Sequence, residues 1–224
     1  MEPTLRQPNP ESLQIQDPAA EAHHRIANSL TLLMSMVRME AASIARRRNP
    51  PSANEVRGLL DGIGARINTI AHLHRLLSHV PFEGETELHP HLKEVTDALV
   101  SALASSEQQV EVVHSGRGAM VRTCQVQPLV LILCEVFINA MKYAHPNSGQ
   151  VILLVVCDRG PDGQLRVSVS DNGGGLPDGL DPRTANGLGF RVMRSLAAEV
   201  GAGLRFESSP QGFGVHLTLP ARPN

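Results

Sequence analysis

Between Ala19 and about Arg47 the chain has neither proline nor glycine, and Ile26, Leu30, Leu33 and Val37 recur at helical spacing. Such a stretch predicts one helix about 42 Å long. The run "RRRNPPSAN" must end it, because proline removes a backbone donor and clashes with the preceding turn. A second helix is predicted from about Asn54 to Val80, with Val56, Leu59, Leu60, Ile63, Ile67, Ile70, Leu73 and Leu77. Gly58, Gly62 and Gly64 weaken it, so it needs packing to persist. Two long helices and a short turn make a hairpin. Alone, that hairpin cannot bury its apolar stripes, since Leu32, Met34, Met36 and Met39 add surface outside the main seam. A second copy would complete a four-helix bundle, and a homodimer through residues 19–82 is expected.

The stretch "PFEGETELHP" marks a boundary, after which the pattern becomes mixed. Helices are predicted near 89–105, 126–145 and 188–200. Strands are predicted at "QVEVVHS", "AMVRT", "GQVILLVVCD", "QLRVSVSD", "GLRFESS" and "GVHLTLP". The expected class is α+β: a flexible tail over 1–18, the hairpin over 19–82, and an α/β sandwich over 88–222. In that sandwich, helices cover one face of a mixed, mostly antiparallel sheet.

A net charge of −2 argues against nucleic acid as a partner. Cys124, Cys134 and Cys157 form no CxxC and have no metal-ligand spacing, so reduced thiols are expected. The proline-rich N-terminus lacks the apolar core of a signal peptide, and no apolar run is read as a membrane span. A cytoplasmic location follows as an expectation.

"EAHHRIANSL", residues 21–30, opens the first helix with two histidines. With Ile26 at 0°, His23 falls near 60°, on the flank of the seam, and His24 near 160°, away from it. Glu21 and Asn28 share the outward face of His24, one turn to either side. A carboxylate at that spacing can fix one imidazole nitrogen and leave the other as a nucleophile. His23 is the better packed, structural histidine.

In "LCEVFINAMKYAHP", Glu135, Asn139 and Lys142 fall within an arc of about 60° on a helical wheel, and Leu129, Ile132, Val136, Phe137 and Ala140 face the other way. An acid, an amide and an amine in one row are what a metal–triphosphate site requires. The amide oxygen can ligate Mg²⁺, the amine can pair with phosphate, and the carboxylate can orient a metal-bound water or act as a base. "LRVSVSDNGGGLP" then runs a strand into Asp171, where the glycines permit close approach of a flat ligand or form a simple turn. "ANGLGFRVMRSLAAEVG" places Gly187 and Gly189 at a helix opening, where free N–H groups favour phosphate. The order of these three elements is specific. It is neither a P-loop nor a Rossmann turn.

On these residues the chain resembles a two-component sensor histidine kinase. Residues 88–222 are similar to the catalytic domain of the gyrase/chaperone/kinase ATPase superfamily, with an N box at Glu135, Asn139 and Lys142, a G1 box at Asp171, Gly173 and Gly175, and a G2 box at Gly187 and Gly189. The hairpin resembles the phosphoacceptor domain of the HWE-like subgroup, whose box E-x-x-H-R-x-x-N-x-L is met by Glu21, His24, Arg25, Asn28 and Leu30; "RINTIAHLHRLL" is similar to its second helix. The resemblance implies that Asp171 accepts from the adenine amino group, Asn139 holds Mg²⁺ and Lys142 contacts phosphate. It implies that the four glycines shape the phosphate loop and lid, and that Glu135 assists catalysis. His24 then attacks the γ-phosphate of ATP and passes the phosphoryl group to an aspartate of a response regulator. A tail of 18 residues is too short to sense a signal, so the expectation is either a separate input protein or a fragment or stand-alone form whose regulation lies elsewhere. The alternative is a stand-alone phosphotransfer protein with little or no ATP use, though such relays usually have eroded nucleotide boxes. A serine kinase of the anti-sigma type lacks the acceptor hairpin.

Overall fold

The computed structural model describes residues 18–77, 84–103, 109–144, 149–185 and 187–220, with side chains from Ile26 onward. The tail, except for its last residue, lies outside the described residues.

Two helices open the fold, α1 (Pro18–Ala45) and α2 (Ala53–Leu76). Ser52 starts α2 with a reciprocal cap: its hydroxyl accepts from the Glu55 N–H at 3.3 Å, and Glu55 Oε2 accepts from the Ser52 N–H at 2.8 Å. The seam expected of α1 is not the face turned toward its own chain. Ile26, Leu30, Met34 and Val37 are 40–56% exposed, whereas Ser29 and Met36 are buried and Leu32, Leu33 and Met39 partly so. The inward face is rotated by about 80–100° from the predicted seam. The reason is a third helix, from the second domain, that packs on the hairpin and selects a different stripe. On α2 likewise, Ala65, Arg66, Thr69, Ile70 and Leu73 are buried, and Val56, Leu60 and Ile67 stay exposed.

The second domain runs β1 (Glu85–Glu87), α3 (Leu88–Leu103), β2 (Val110–Ser115), β3 (Met120–Arg122), α4 (Thr123–Tyr143), β4 (Val151–Arg159), β5 (Leu165–Asp171), α5 (Leu188–Glu199), β6 (Gly203–Ser209) and β7 (Gly212–Leu219). Five strands form one sheet in the order β2-β4-β5-β7-β6, parallel between β2 and β4 and antiparallel elsewhere. Alternate residues Val151, Leu153, Val155 and Cys157 of β4 and Leu165, Val167 and Val169 of β5 are buried. They face the layer of α3, α4 and α5. The pair β1–β3 is a separate antiparallel ribbon, and β1 lies in the stretch read from sequence as a boundary. Three residues carry too little alternation to announce a strand.

Helix α4 is the axis of the molecule. Its 21 residues contain an 18-residue window with a mean hydropathy of 1.6, long and apolar enough to cross a membrane by length and composition, which the sequence reading did not anticipate. Here it is a core helix, buried from Val126 to Ile138 on nearly every side. One flank meets the hairpin. Gln127 donates to Ser29 Oγ at 2.9 Å, Ser29 Oγ lies 3.0 Å from His74 Nε2, and Thr69 Oγ1 lies 3.5 Å from Cys134 Sγ.

Candidate functional site

The last two turns of α4 carry the polar row. Asn139 and Lys142 open onto a cavity of about 850 Å³, together with Asp171, Gly175, Gly187 and Gly189. Helix periodicity puts Asn139 and Lys142 on one face, and the loops after β5 and before α5 close over it.

At one end, Asp171 Oδ1 accepts from the N–H of Gly173 at 2.8 Å and from that of Phe213 at 3.2 Å. These bonds hold the glycine loop against β7. Gly173 is buried and any Cβ there would lie 2.5 Å from the Ala144 Cα, and Gly175 combines φ +75° with a backbone oxygen of Ser209 where its Cβ would go. The loop therefore reaches its place only with glycine at these two positions.

At the other end, Gly189 in the first turn of α5 sits over α4. A Cβ there would lie 3.1 Å from Glu135 Oε2 and 3.2 Å from Asn139 Nδ2. Gly187 caps α5 without a side-chain bond, leaving the helix N–H groups to the cavity. The loop between them is short, and Arg194 of α5 pins it by donating to the carbonyls of Pro182 at 2.7 Å and Ala185 at 2.8 Å.

Glu135 differs from its expected place in the row. It is 1% exposed, does not line the cavity, and both its oxygens are taken by Arg66 of α2, at 2.5 Å from Nε and 2.6 Å from Nη2. Burial pulls the Arg66 guanidinium down, but the Glu135 carboxylate more than restores it and leaves it above its ordinary value. Lys142 is held below its ordinary value, first by desolvation and then by the nearby Arg66 cation. Arg66 lines the cavity where Glu135 does not. So do Glu40, Ser43 and Arg47 of α1.

Sequence reasoning missed Arg66. Its signal was an arginine set among Leu59, Ile63, Ile70 and Leu73 at seam spacing, with Gly62 one turn before it.

Mg²⁺ fits these residues in a limited way. The Asn139 amide is the neutral oxygen donor facing the cavity, the Glu135 carboxylate is occupied, and no cluster of three His, Cys, Asp or Glu is present among the described residues. A hard cation that keeps its waters and binds mainly through phosphate suits such a donor set.

The acceptor box lies elsewhere. Glu21 and His24 belong to the first turns of α1, with side chains outside the described residues, and Asn28 is exposed and does not line the cavity. From His24 to Glu40, where α1 meets the cavity, sixteen residues of helix span about 24 Å. The structure thus brings Asn139, Lys142, Asp171, Gly175, Gly187 and Gly189 onto one cavity, without Glu135 or Gly173, and leaves Glu21, His24 and Asn28 at the far end of the hairpin.

The family model described as histidine kinase-, DNA gyrase B- and HSP90-like ATPase matches residues 124–223, and the histidine kinase model matches residues 21–103. Blue-light-activated histidine kinase 2 of Erythrobacter litoralis is 24% identical over 211 residues, covering 90% of this chain and 56% of that protein. Sensor histidine kinase PdtaS of Mycobacterium tuberculosis is 25% identical over 206 residues, covering 89% of this chain and 38% of that one. The chain thus spans about half or less of the length of these relatives. Among solved structures, the histidine kinase domain of the Erythrobacter litoralis EL346 blue-light-activated kinase has the same fold. It superposes with a TM-score of 0.67 at 22% identity, over 90% of this chain and 92% of that one.

Proposed function

The chain belongs to the histidine kinases, and on that premise we propose that it uses ATP to phosphorylate His24 and passes the phosphoryl group to an aspartate of a response-regulator receiver domain. The observation that carries the reading is the single cavity onto which Asn139, Lys142, Asp171, Gly187 and Gly189 all open.

The adenine ring takes the Asp171 end, where the carboxylate is already oriented by two backbone donors. The phosphates take the end where α5 begins and Lys142 supplies charge. Mg²⁺, held by Asn139, would neutralise phosphate charge when bound. At the acceptor, Glu21 orients the imidazole of His24 and Asn28 flanks it on the same face. The free ring nitrogen attacks the γ-phosphorus, the bond to the bridging oxygen breaks, and ADP leaves with that electron pair. Glu135 acts through Arg66, as its counter-ion, rather than as a base.

The chain works as a homodimer through residues 19–82. This is supported by an outward stripe of Ile26, Leu30, Met34, Val37, Val56, Leu60 and Ile67, all between 39% and 62% exposed. Its place is the cytoplasm, and its input comes from a separate protein or domain.

The test is incubation with γ-labelled ATP and Mg²⁺, wild type beside His24→Ala. Acid-labile label that depends on His24 is expected. Label retained in His24→Ala, or acid-stable label, refutes the assignment. Sedimentation of Leu30→Glu/Leu60→Glu tests the dimer, which should dissociate.

A further inference from the structure

Arg66 belongs to the hairpin, yet it reaches the nucleotide cavity of the other domain. The residue is 6% exposed, and two of its three side-chain nitrogens are committed to Glu135. The third, Nη1, has no hydrogen-bond partner among the described residues. It lies beside Gly62, where an added Cβ would stand 3.1 Å from it and 3.3 Å from Lys142 Nζ. Two cationic groups therefore flank one point at the edge of the cavity, whose lining also includes Glu40, a carboxylate close enough to act on both. Lys142 registers this arrangement, being held low by desolvation and by Arg66.

The position along α4 says what anion fits. Gly173 and Asp171 meet α4 at Ala144, while Arg66 meets it at Glu135, nine residues away, or about 13 Å of helix. The adenine end and the Arg66 end are opposite ends of one cavity.

We propose that Arg66 is a phosphate-binding residue of the ATP site, its Nη1 donating to the γ-phosphate, so that the hairpin completes the nucleotide site of its own catalytic domain. This rests on the nucleotide reading given above. Glu135 acts as the built counter-ion: by taking Nε and Nη2 it fixes the plane of the guanidinium and aims the remaining edge. Gly62 leaves the space, since any side chain there would meet both Nη1 and Nζ.

The experiment is calorimetric titration of the whole chain with a non-hydrolysable ATP analogue and with ADP, each with Mg²⁺, for wild type and Arg66→Met. A lost charge-assisted bond to the γ-phosphate should weaken the ATP analogue by about tenfold or more and ADP by less than about threefold. Equal weakening of both nucleotides, or of neither, overturns the proposal and leaves Arg66 as a structural partner of Glu135. Should Arg66→Met fail to fold, the Arg66→Met/Glu135→Leu variant removes both charges and carries the same comparison. A wild type that binds neither nucleotide overturns the ATP reading itself. The wild-type titration alone reports that outcome, so the two failures are distinguishable.

Discussion

The Arg66–Glu135 pair ties the hairpin to α4, and its removal has a calculable cost. The carboxylate is 1% exposed and the guanidinium side chain 7%, with contacts of 2.5 and 2.6 Å. Two buried charges owe their tolerance to each other. Taking away one leaves the other without solvent or partner, at about 3–5 kcal/mol, while taking away both in favour of apolar groups is often nearly neutral. Glu135→Leu should therefore destabilise by about 3–5 kcal/mol, lowering the melting temperature by roughly 10 °C for a chain of this size. Arg66→Met should cost a similar amount. The double variant Arg66→Met/Glu135→Leu should fall within about 1–2 kcal/mol of wild type. Urea titrations followed by circular dichroism, closed as a double-mutant cycle, measure the coupling. If the double variant loses as much as the two singles added together, the pair contributes nothing as a pair. The account of α4 docking by a desolvated ion pair is then refuted.

Other outcomes follow from single side chains. Met36 of α1 is 1% exposed in the core, so Met36→Ala should cost about 2–5 kcal/mol in the same urea assay. Gly189→Ala places a methyl group 3.1–3.2 Å from Glu135 and Asn139, and should lower nucleotide affinity in calorimetry while far-UV circular dichroism stays unchanged. Desolvation pushes the Cys134 thiol up to about 12 and the Cys157 thiol up to about 11, so native protein at pH 8 should react with a thiol reagent at Cys124 alone. Labelling of Cys134 before unfolding would contradict its burial. Asp171→Ala removes the acceptor for two backbone N–H groups and should abolish nucleotide binding by both routes, whereas Asp171→Asn, which keeps one oxygen, should retain the loop but bind weakly.

Much of this was legible because local rules and the fold agree. The proline break after α1, the strand running into Asp171 and the glycines that open α5 each announced an element within a few residues of its observed bounds. The glycines at 173 and 175 announced a loop that only glycine can form. What failed to show was partnership between domains. A helical wheel ranks the stripes of α1 by hydrophobicity, and the stripe of Ile26, Leu30 and Val37 outranks that of Ser29, Leu32 and Met36. The second is nonetheless the one buried, because Gln127 and the core helix lie against it. Glu135 was misplaced for the same reason. Its wheel position sets it in line with Asn139 and Lys142, but an arginine sixty-nine residues earlier covers it. No period in either segment encodes that contact.

The same docking decides how the site can work. With α4 lying along the hairpin from Ser29 toward the turn, the cavity at its C-terminal end borders Glu40, Ser43 and Arg47, and His24 lies about 24 Å of helix away. A phosphorus atom must approach its nucleophile to within a few ångströms before bonds exchange, roughly 3–3.5 Å. Phosphoryl transfer from this cavity to this His24 therefore requires the catalytic domain to leave its seat, or a second copy to present its own acceptor. Either route must break or bypass the Arg66–Glu135 contact, the Ser29–Gln127 bond and the apolar packing of Met36, Ala65, Ile70, Leu73 and Leu77. If Arg66 also binds the terminal phosphate, nucleotide occupancy strengthens the seat, and whatever signal moves the hairpin works against that added hold.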